Sequence, residues 1–169
     1  MIEVPKSCAP PPRWAVWSAY AAALTTVPSG VWRIALALGL PVGYPDEVLR
    51  HDFGIPGRGV VSLVGLSLVT EALALLTFGL VRPWGEVLPR WIPLIGGRRV
   101  HPLAAVVPAG LGAVALTYLW SGFVFWWSDE HHPAISGPWR DIVGACYQPL
   151  VLWGPLLAAV TVSYYRRRR

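Results

Sequence analysis

Two sets of residues have the types and spacing to do chemistry. One is a lone carboxylate, Glu71, set in the apolar run LVTEALALLTFGL at residues 68–80. The other is a pair of polar stretches, PDEVLRHD (45–52) and SDEHHP (128–133), which hold three of the four histidines, His51, His131 and His132, among the carboxylates Asp46, Glu47, Asp52, Asp129 and Glu130. Imidazole and carboxylate are the ligand types that zinc and related metals take, so His51, Asp129, Glu130, His131 and His132 are the metal candidates. Their spacing is weak, because adjacent residues point in different directions, unlike two histidines at i, i+4 on one helix face. The simpler reading is a pair of solvated acidic loops whose histidines titrate with external pH. No nucleophile motif, phosphate-cradling glycine loop or cysteine-pair metal site is present. The Gly96–Gly97 pair beside Arg98 and Arg99 lacks the strand–loop–helix setting of a nucleotide site. No cofactor is predicted.

The elements that must position these residues are set by composition. The chain has 169 residues, 54% hydrophobic and 14% charged, against roughly 25% charged in an ordinary soluble domain. Four apolar tracts, 14–40, 59–81, 102–127 and 142–165, each exceed the roughly 20 residues needed to cross a hydrocarbon core of about 30 Å. Backbone groups in lipid must be bonded within their own segment, so tracts of this length are helices. The expectation is all-α: one integral domain over 1–169, a four-transmembrane-helix bundle with short connections rich in Pro and Gly. The first tract is too long for the core of a cleaved signal peptide and is read as a retained span.

With four spans both termini share a side. That side holds Lys6, Arg13, Arg82, Arg90, Arg98, Arg99, Arg166, Arg167, Arg168 and Arg169 against Glu3 and Glu86. The opposite side holds Arg50, Arg58 and Arg140, with Arg33 near its boundary, against Asp46, Glu47, Asp52, Asp129, Glu130 and Asp141. The excess of Lys and Arg places the N and C termini in the cytoplasm of a cell (inner) membrane. The net charge of +5 is therefore not a nucleic-acid signal. Arg90, Arg98, Arg99 and the terminal Arg166 to Arg169 instead lock topology and meet anionic lipid headgroups, at roughly 1 kcal/mol per residue. Aromatic residues agree: Trp14, Trp17, Trp84, Trp91, Tyr164 and Tyr165 mark the inner boundary, and Trp32 with YLWSGFVFWW (118–127) the outer one. Cys8 and Cys146 fall on opposite sides, so no disulfide is expected.

The inner loop RPWGEVLPRWIPLIGGRRV (82–100) has three prolines that forbid a regular helix, with apolar rings and arginines interleaved as in a segment lying on a membrane surface. Together with the following HPLAAVVPAGLGAVALT, it resembles small four-helix integral membrane proteins of unassigned function found in GC-rich bacterial genomes. The resemblance covers about 40 residues plus the four-span layout. It implies a membrane location and no activity.

Glu71 lies 11 residues from Arg82, roughly 16 Å deep at 1.5 Å per residue and close to the midplane. An ionised carboxylate there costs about 2.5 to 3.5 kcal/mol or more. Three arrangements would offset this. Glu71 is neutral and hydrogen-bonded to Thr25, Thr26 or Ser29 of TTVPSGVWR, or to Ser67 one turn away; or it pairs with Arg33, across a gap of about 9 Å in depth; or it acts directly on a proton or a polar ligand. Pro28 and Gly30 loosen span one at the same depth, as in the broken helices of transporters. Ala105, Ala109, Ala113, Thr117 and Ser121 recur every four residues, a small-residue stripe suited to close packing inside the bundle, with a dimer seam as the alternative. The GxxxG spacing of Gly39 and Gly43 reads as a helix stop. Three functional classes follow. The leading one is a non-enzymatic multi-pass membrane protein with a polar intramembrane site, working as a homo-oligomer or with a membrane partner. The others are a small proton-linked transporter and a membrane enzyme acting on a lipid or isoprenoid substrate.

Overall fold

The computed structural model describes residues 10–40, 42–82, 101–128, 135 and 137–169. The described residues are helical, with no strand among them. Helix α1 spans Arg13–Ala37, α2 Asp46–His51, α3 Arg58–Leu76, α4 Pro102–Ser121, α5 Pro138–Tyr147 and α6 Trp153–Arg168. Tight 3₁₀ turns extend α3 over Thr77–Leu80 and α4 over Gly122–Ser128, and a third, Gln148–Leu152, joins α5 to α6. Three of these helical stretches, Arg58–Leu80, Pro102–Ser128 and Pro138–Arg168, are long and apolar enough to cross a membrane. Most of their large apolar side chains, among them Val61, Leu68, Leu73, Leu111, Val114 and Leu119, face outward, as lipid contact requires.

Helix α1 is not one of the three. It is long enough, at 25 residues, but Thr25, Thr26, Ser29 and Arg33 make it less apolar. Its position explains how such a sequence is accommodated: α1 packs along α3 on one flank and α6 on another, while α4 packs on α6. The polar residues Thr25, Thr26, Ser29 and Arg33 are all buried, on the stripe that also carries Ala15, Ala19, Ala22, Gly30 and Leu36. A polar stripe facing protein rather than lipid is the arrangement a bilayer permits.

Helix boundaries follow local chemistry. Pro102 and Pro138 stand at the first helical positions of α4 and α5, where a missing N–H costs nothing, and the His101 ring accepts a hydrogen bond from the Leu103 N–H. Beyond α1, Gly39 and Gly43 take φ of 74° and 91°, the left-handed backbone that glycine adopts freely, so the GxxxG spacing is a stop. The expected break at Pro28 is corrected: α1 runs through it unbroken. The hydroxyls of Thr25, Thr26 and Ser29 bond the carbonyls of Ala22, Ala23 and Thr26 of their own helix beside the proline. The tract expected as a span over 142–165 falls within the continuous helical stretch Pro138–Arg168, in which Pro149 sits in the 3₁₀ turn that joins α5 to α6.

The core has two ends and a middle. At one end Ala15, Ala19, Leu80, Val81, Val160 and Tyr164 cluster, and two arginines tie the helix ends there: Arg82 Nη2 donates to the Tyr20 hydroxyl at 2.9 Å and Arg167 Nη2 to the Leu80 carbonyl at 2.7 Å. At the other end Trp32, Leu36, Val42, Leu49, Ile55, Trp126, Ile135 and Val143 form a second cluster. Between them Ala22, Ala74, Leu150 and Trp153 make the middle layer. The small-residue stripe of α4 is used within the chain. Gly154 of α6 seats against it, where a Cβ would lie 2.8 Å from the Ala113 carbonyl and 2.7 Å from the Thr117 N–H nitrogen.

Candidate functional site

The polar residues of α1 and α3 meet in one layer above the Ala22–Ala74 contact. Glu71 Oε2 lies 3.0 Å from the Thr26 hydroxyl, and that hydroxyl lies 2.8 Å from the Ala23 carbonyl oxygen. A threonine hydroxyl has one proton to give, and a carbonyl can only accept. Thr26 Oγ1 is the donor to both, its proton shared between Glu71 Oε2 and the Ala23 carbonyl; a protonated Glu71 would donate to Thr26 instead. The other carboxyl oxygen, Oε1, points at Gly30, where an added Cβ would lie 3.1 Å away. Gly30 is thus the space in α1 that the carboxyl group occupies.

The remaining sequence candidates are near Glu71 but bonded elsewhere. Thr25 donates to Ala22, and Ser67 donates to Leu63. Ser29 donates to Thr26 and accepts from Arg33 Nη2 at 3.1 Å, while Arg33 Nε donates to the Ser29 carbonyl at 3.2 Å. The Arg33 guanidinium therefore folds back along its own helix, and the ion pair with Glu71 expected as one alternative is not formed. Arg33 is 5% exposed, and no carboxylate among the described residues pairs with it. No second titratable side chain is bonded to Glu71 among the described residues.

Two participants escape sequence reasoning, and Gly30, read from the sequence as loosening span one, serves instead as the space for the carboxyl group. Thr70, buried and donating to Leu66 at 2.7 Å, shares the inward face of α3 with Ser67 and Glu71. Tyr147, at the end of α5, lies within electrostatic range of Arg33 and of Tyr44. Burial pushes the Tyr44 phenol above its ordinary value, and Tyr147 beside it adds to the shift.

Of the outer metal candidates, only His51 is among the described residues. His51 is exposed on α2, and no group of three or more His, Cys, Asp or Glu able to hold a metal occurs among the described residues. Asp129, Glu130, His131 and His132 lie outside the described residues, as do Arg90, Arg98, Arg99, Trp84, Trp91 and Cys8. Cys146 is free. At the basic end the guanidinium groups of Arg167 and Arg168 sit 5.8 and 5.7 Å from the Tyr164 ring centroid, and that of Arg169 lies 6.0 Å from Tyr165. Part of the terminal charge is folded onto the helix end, while Arg166 and Arg169 remain exposed.

No family model, curated protein or solved structure matches this chain, and the functional reading rests on its residues and their geometry.

Proposed function

We propose that this chain is a non-enzymatic multi-pass protein of a bacterial inner membrane, in which α1 joins the three apolar stretches as a fourth span and both termini are cytoplasmic. Its working part is a polar binding layer inside the membrane, centred on a neutral Glu71 that links α3 to α1. The observation that carries the reading is the pair of contacts at the Thr26 hydroxyl, 3.0 Å to Glu71 and 2.8 Å to the Ala23 carbonyl. A hydroxyl proton shared between two acceptors bonds each weakly, and a protonated carboxyl that donates to Thr26 would relieve the sharing. A neutral acid also avoids the cost of an ion near the midplane. The distribution of Lys and Arg supports the orientation. The ring of arginines at the basic end suits anionic headgroups of the cytoplasmic leaflet.

Native mass spectrometry of the protein gently extracted from membranes, together with lipid extracts of cells with and without it, tests the assignment. The expected result is identical lipid profiles and a retained small molecule, or a second membrane chain, that is lost from Glu71→Ala. A lipid species that depends on the protein would establish the enzyme reading instead. A proton-linked transporter is the second reading, favoured by the half-buried state of Glu71, which leaves the carboxyl a path for proton exchange. It requires proton flux across vesicles that Glu71→Gln abolishes.

A further inference from the structure

The face of α1 opposite its polar stripe is turned outward. Trp17, Tyr20, Leu24, Val27 and Val31 recur there at three- and four-residue spacing and are 39% to 72% exposed, the pattern of one continuous helix face. At the basic end this face carries a polar contact. The Arg82 guanidinium, just past the 3₁₀ turn that extends α3, donates from Nη2 to the Tyr20 hydroxyl at 2.9 Å. Phe78 of that turn meets the Tyr20 ring edge-on at 5.0 Å, and the Trp17 ring lies 6.3 Å from it. Two helices thus hold a cation and a hydroxyl against each other on the outward surface.

The contact leaves donors unused. The Tyr20 oxygen accepts from Arg82, so its own proton remains to be given, and no acceptor takes it among the described residues. Arg82 is exposed, and among the described residues no carboxylate pairs with it and no acceptor meets its Nε or Nη1. Arg167, held on the Leu80 carbonyl at 2.7 Å, adds a second positive charge at the same helix end. A guanidinium fork and a neighbouring hydroxyl are complementary to an oxyanion with two free oxygens.

The surroundings decide which oxyanion. A phosphodiester carries one negative charge and two unesterified oxygens, one for Arg82 and one for Tyr20. Val31 lies 11 residues beyond Tyr20, roughly 16 Å at 1.5 Å per residue, which is about one leaflet of a hydrocarbon core of about 30 Å. An acyl chain hanging from a phosphate at Tyr20 would run along Leu24 and Val27 to Val31, a surface that a soluble anion does not need. A zwitterionic phospholipid has the same phosphate but brings a cationic group beside Arg82 and Arg167, which repel it.

We infer that Arg82 and Tyr20 form a discrete site for the phosphodiester of an anionic phospholipid, with Trp17 flanking the headgroup and the outward face of α1 carrying an acyl chain. The site rests on α1 spanning the membrane, as proposed above. Unlike the general attraction of the terminal arginines to anionic lipid, it takes one occupant and depends on one hydroxyl and one guanidinium.

The test is native mass spectrometry of the full chain in detergent micelles, titrated with dioleoyl phosphatidylglycerol or dioleoyl phosphatidylcholine. One phosphatidylglycerol should bind in preference to phosphatidylcholine. Tyr20→Phe should weaken it about 2- to 10-fold, as loss of one neutral donor does, and Arg82→Gln about 10-fold or more, as loss of a charged one does. Arg50→Gln removes the same charge from α2 at the other end of the molecule and should leave the preference unchanged. Tyr20→Phe keeps the ring on Phe78, so its result stands if Arg82→Gln does not fold. Equal binding of the two lipids, or an Arg50→Gln loss as large as that of Arg82→Gln, overturns the inference. Displacement of the lipid by inorganic phosphate also overturns it, because the site would then be one for a free anion. The membrane placement is read separately, from the depth of a spin label on Trp17→Cys in a Cys8→Ser, Cys146→Ser background in vesicles. A label at headgroup depth without phosphatidylglycerol preference defeats this inference alone, and a label in bulk water defeats the spanning reading of α1 beneath it.

Discussion

Replacing Glu71 by glutamine should leave the fold almost as stable as the wild type, whereas replacing it by alanine should not. In the neutral state Glu71 donates one hydrogen bond to Thr26, which passes it on to the Ala23 carbonyl. Glutamine has nearly the same shape and offers an N–H at the same place, so the change is expected to stay within about 0.5 kcal/mol. Alanine removes the bond, worth about 0.5 to 1.5 kcal/mol net, and opens a void beside Gly30, for a loss of about 1 to 3 kcal/mol. Thr26→Val keeps the shape and strands the carboxyl group, again at about 1 to 3 kcal/mol. The double variant Glu71→Ala, Thr26→Val should then fall short of the sum by about 1 kcal/mol, the coupling of the pair. Reversible unfolding in mixed micelles, or steric trapping in bicelles, gives all four values. The reasoning is refuted if glutamine costs as much as alanine, or if the Thr26 and Glu71 changes add without coupling.

Four further outcomes follow from the packing. Gly30→Leu should abolish the Glu71–Thr26 bond by filling the carboxyl position, while Gly30→Ala should be close to neutral: its Cβ, 3.1 Å from Oε1, asks for a shift of a few tenths of an ångström and gains about 0.5 to 1 kcal/mol of helix propensity. Gly154→Ala presses a methyl group on the backbone of α4 at Ala113 and Thr117 and should cost about 1 to 3 kcal/mol, visible in the same unfolding assay. The raised Tyr44 phenol sets a pH dependence. The folded state holds that proton more tightly than the unfolded chain, so stability is fully present below the ordinary value of 10.0 and falls as pH rises through and above it. Tyr44→Phe should flatten that alkaline limb. For topology, single cysteines placed at Arg169 and at Glu47, in a Cys8→Ser, Cys146→Ser background, should be labelled by a membrane-impermeant maleimide from the cytoplasmic and the outer side respectively; the reverse pattern would contradict the orientation.

The helical class and the apolar stretches were legible because lipid imposes one strong rule, and continuous apolar length answers it. Helix α1 differs from the apolar tract read over 14–40 in not being among the three stretches apolar enough to cross a membrane. Its Thr25, Thr26, Ser29 and Arg33 lie on the stripe packed against its neighbours, while Trp17, Leu24 and Val31 face outward. Depth counting from the arginines brought Glu71 to Thr26, since rise per residue is nearly constant in a helix. Rotation about the axis is not fixed by such a count. Of the candidates Thr25, Thr26, Ser29 and Ser67, only Thr26 touches the carboxyl group, and Arg33 turns back to Ser29 although its depth allowed a pair. The space that Gly30 leaves for the carboxyl group and the place of Tyr147 were not legible because both come from neighbours distant in sequence. Pro28 shows the same limit from the other side: a residue that breaks helices in water is carried within α1 without a break.

The central claim is that Glu71 is neutral and bonded to Thr26 inside the membrane. The most direct measurement is the infrared difference between wild type and Glu71→Gln at neutral pH in lipid, with ¹³C-labelled glutamate to identify the band. The account predicts the single carbonyl stretch of a protonated, hydrogen-bonded acid, which shifts in Thr26→Val. Paired carboxylate stretches assigned to Glu71, unchanged by Thr26→Val, would contradict it.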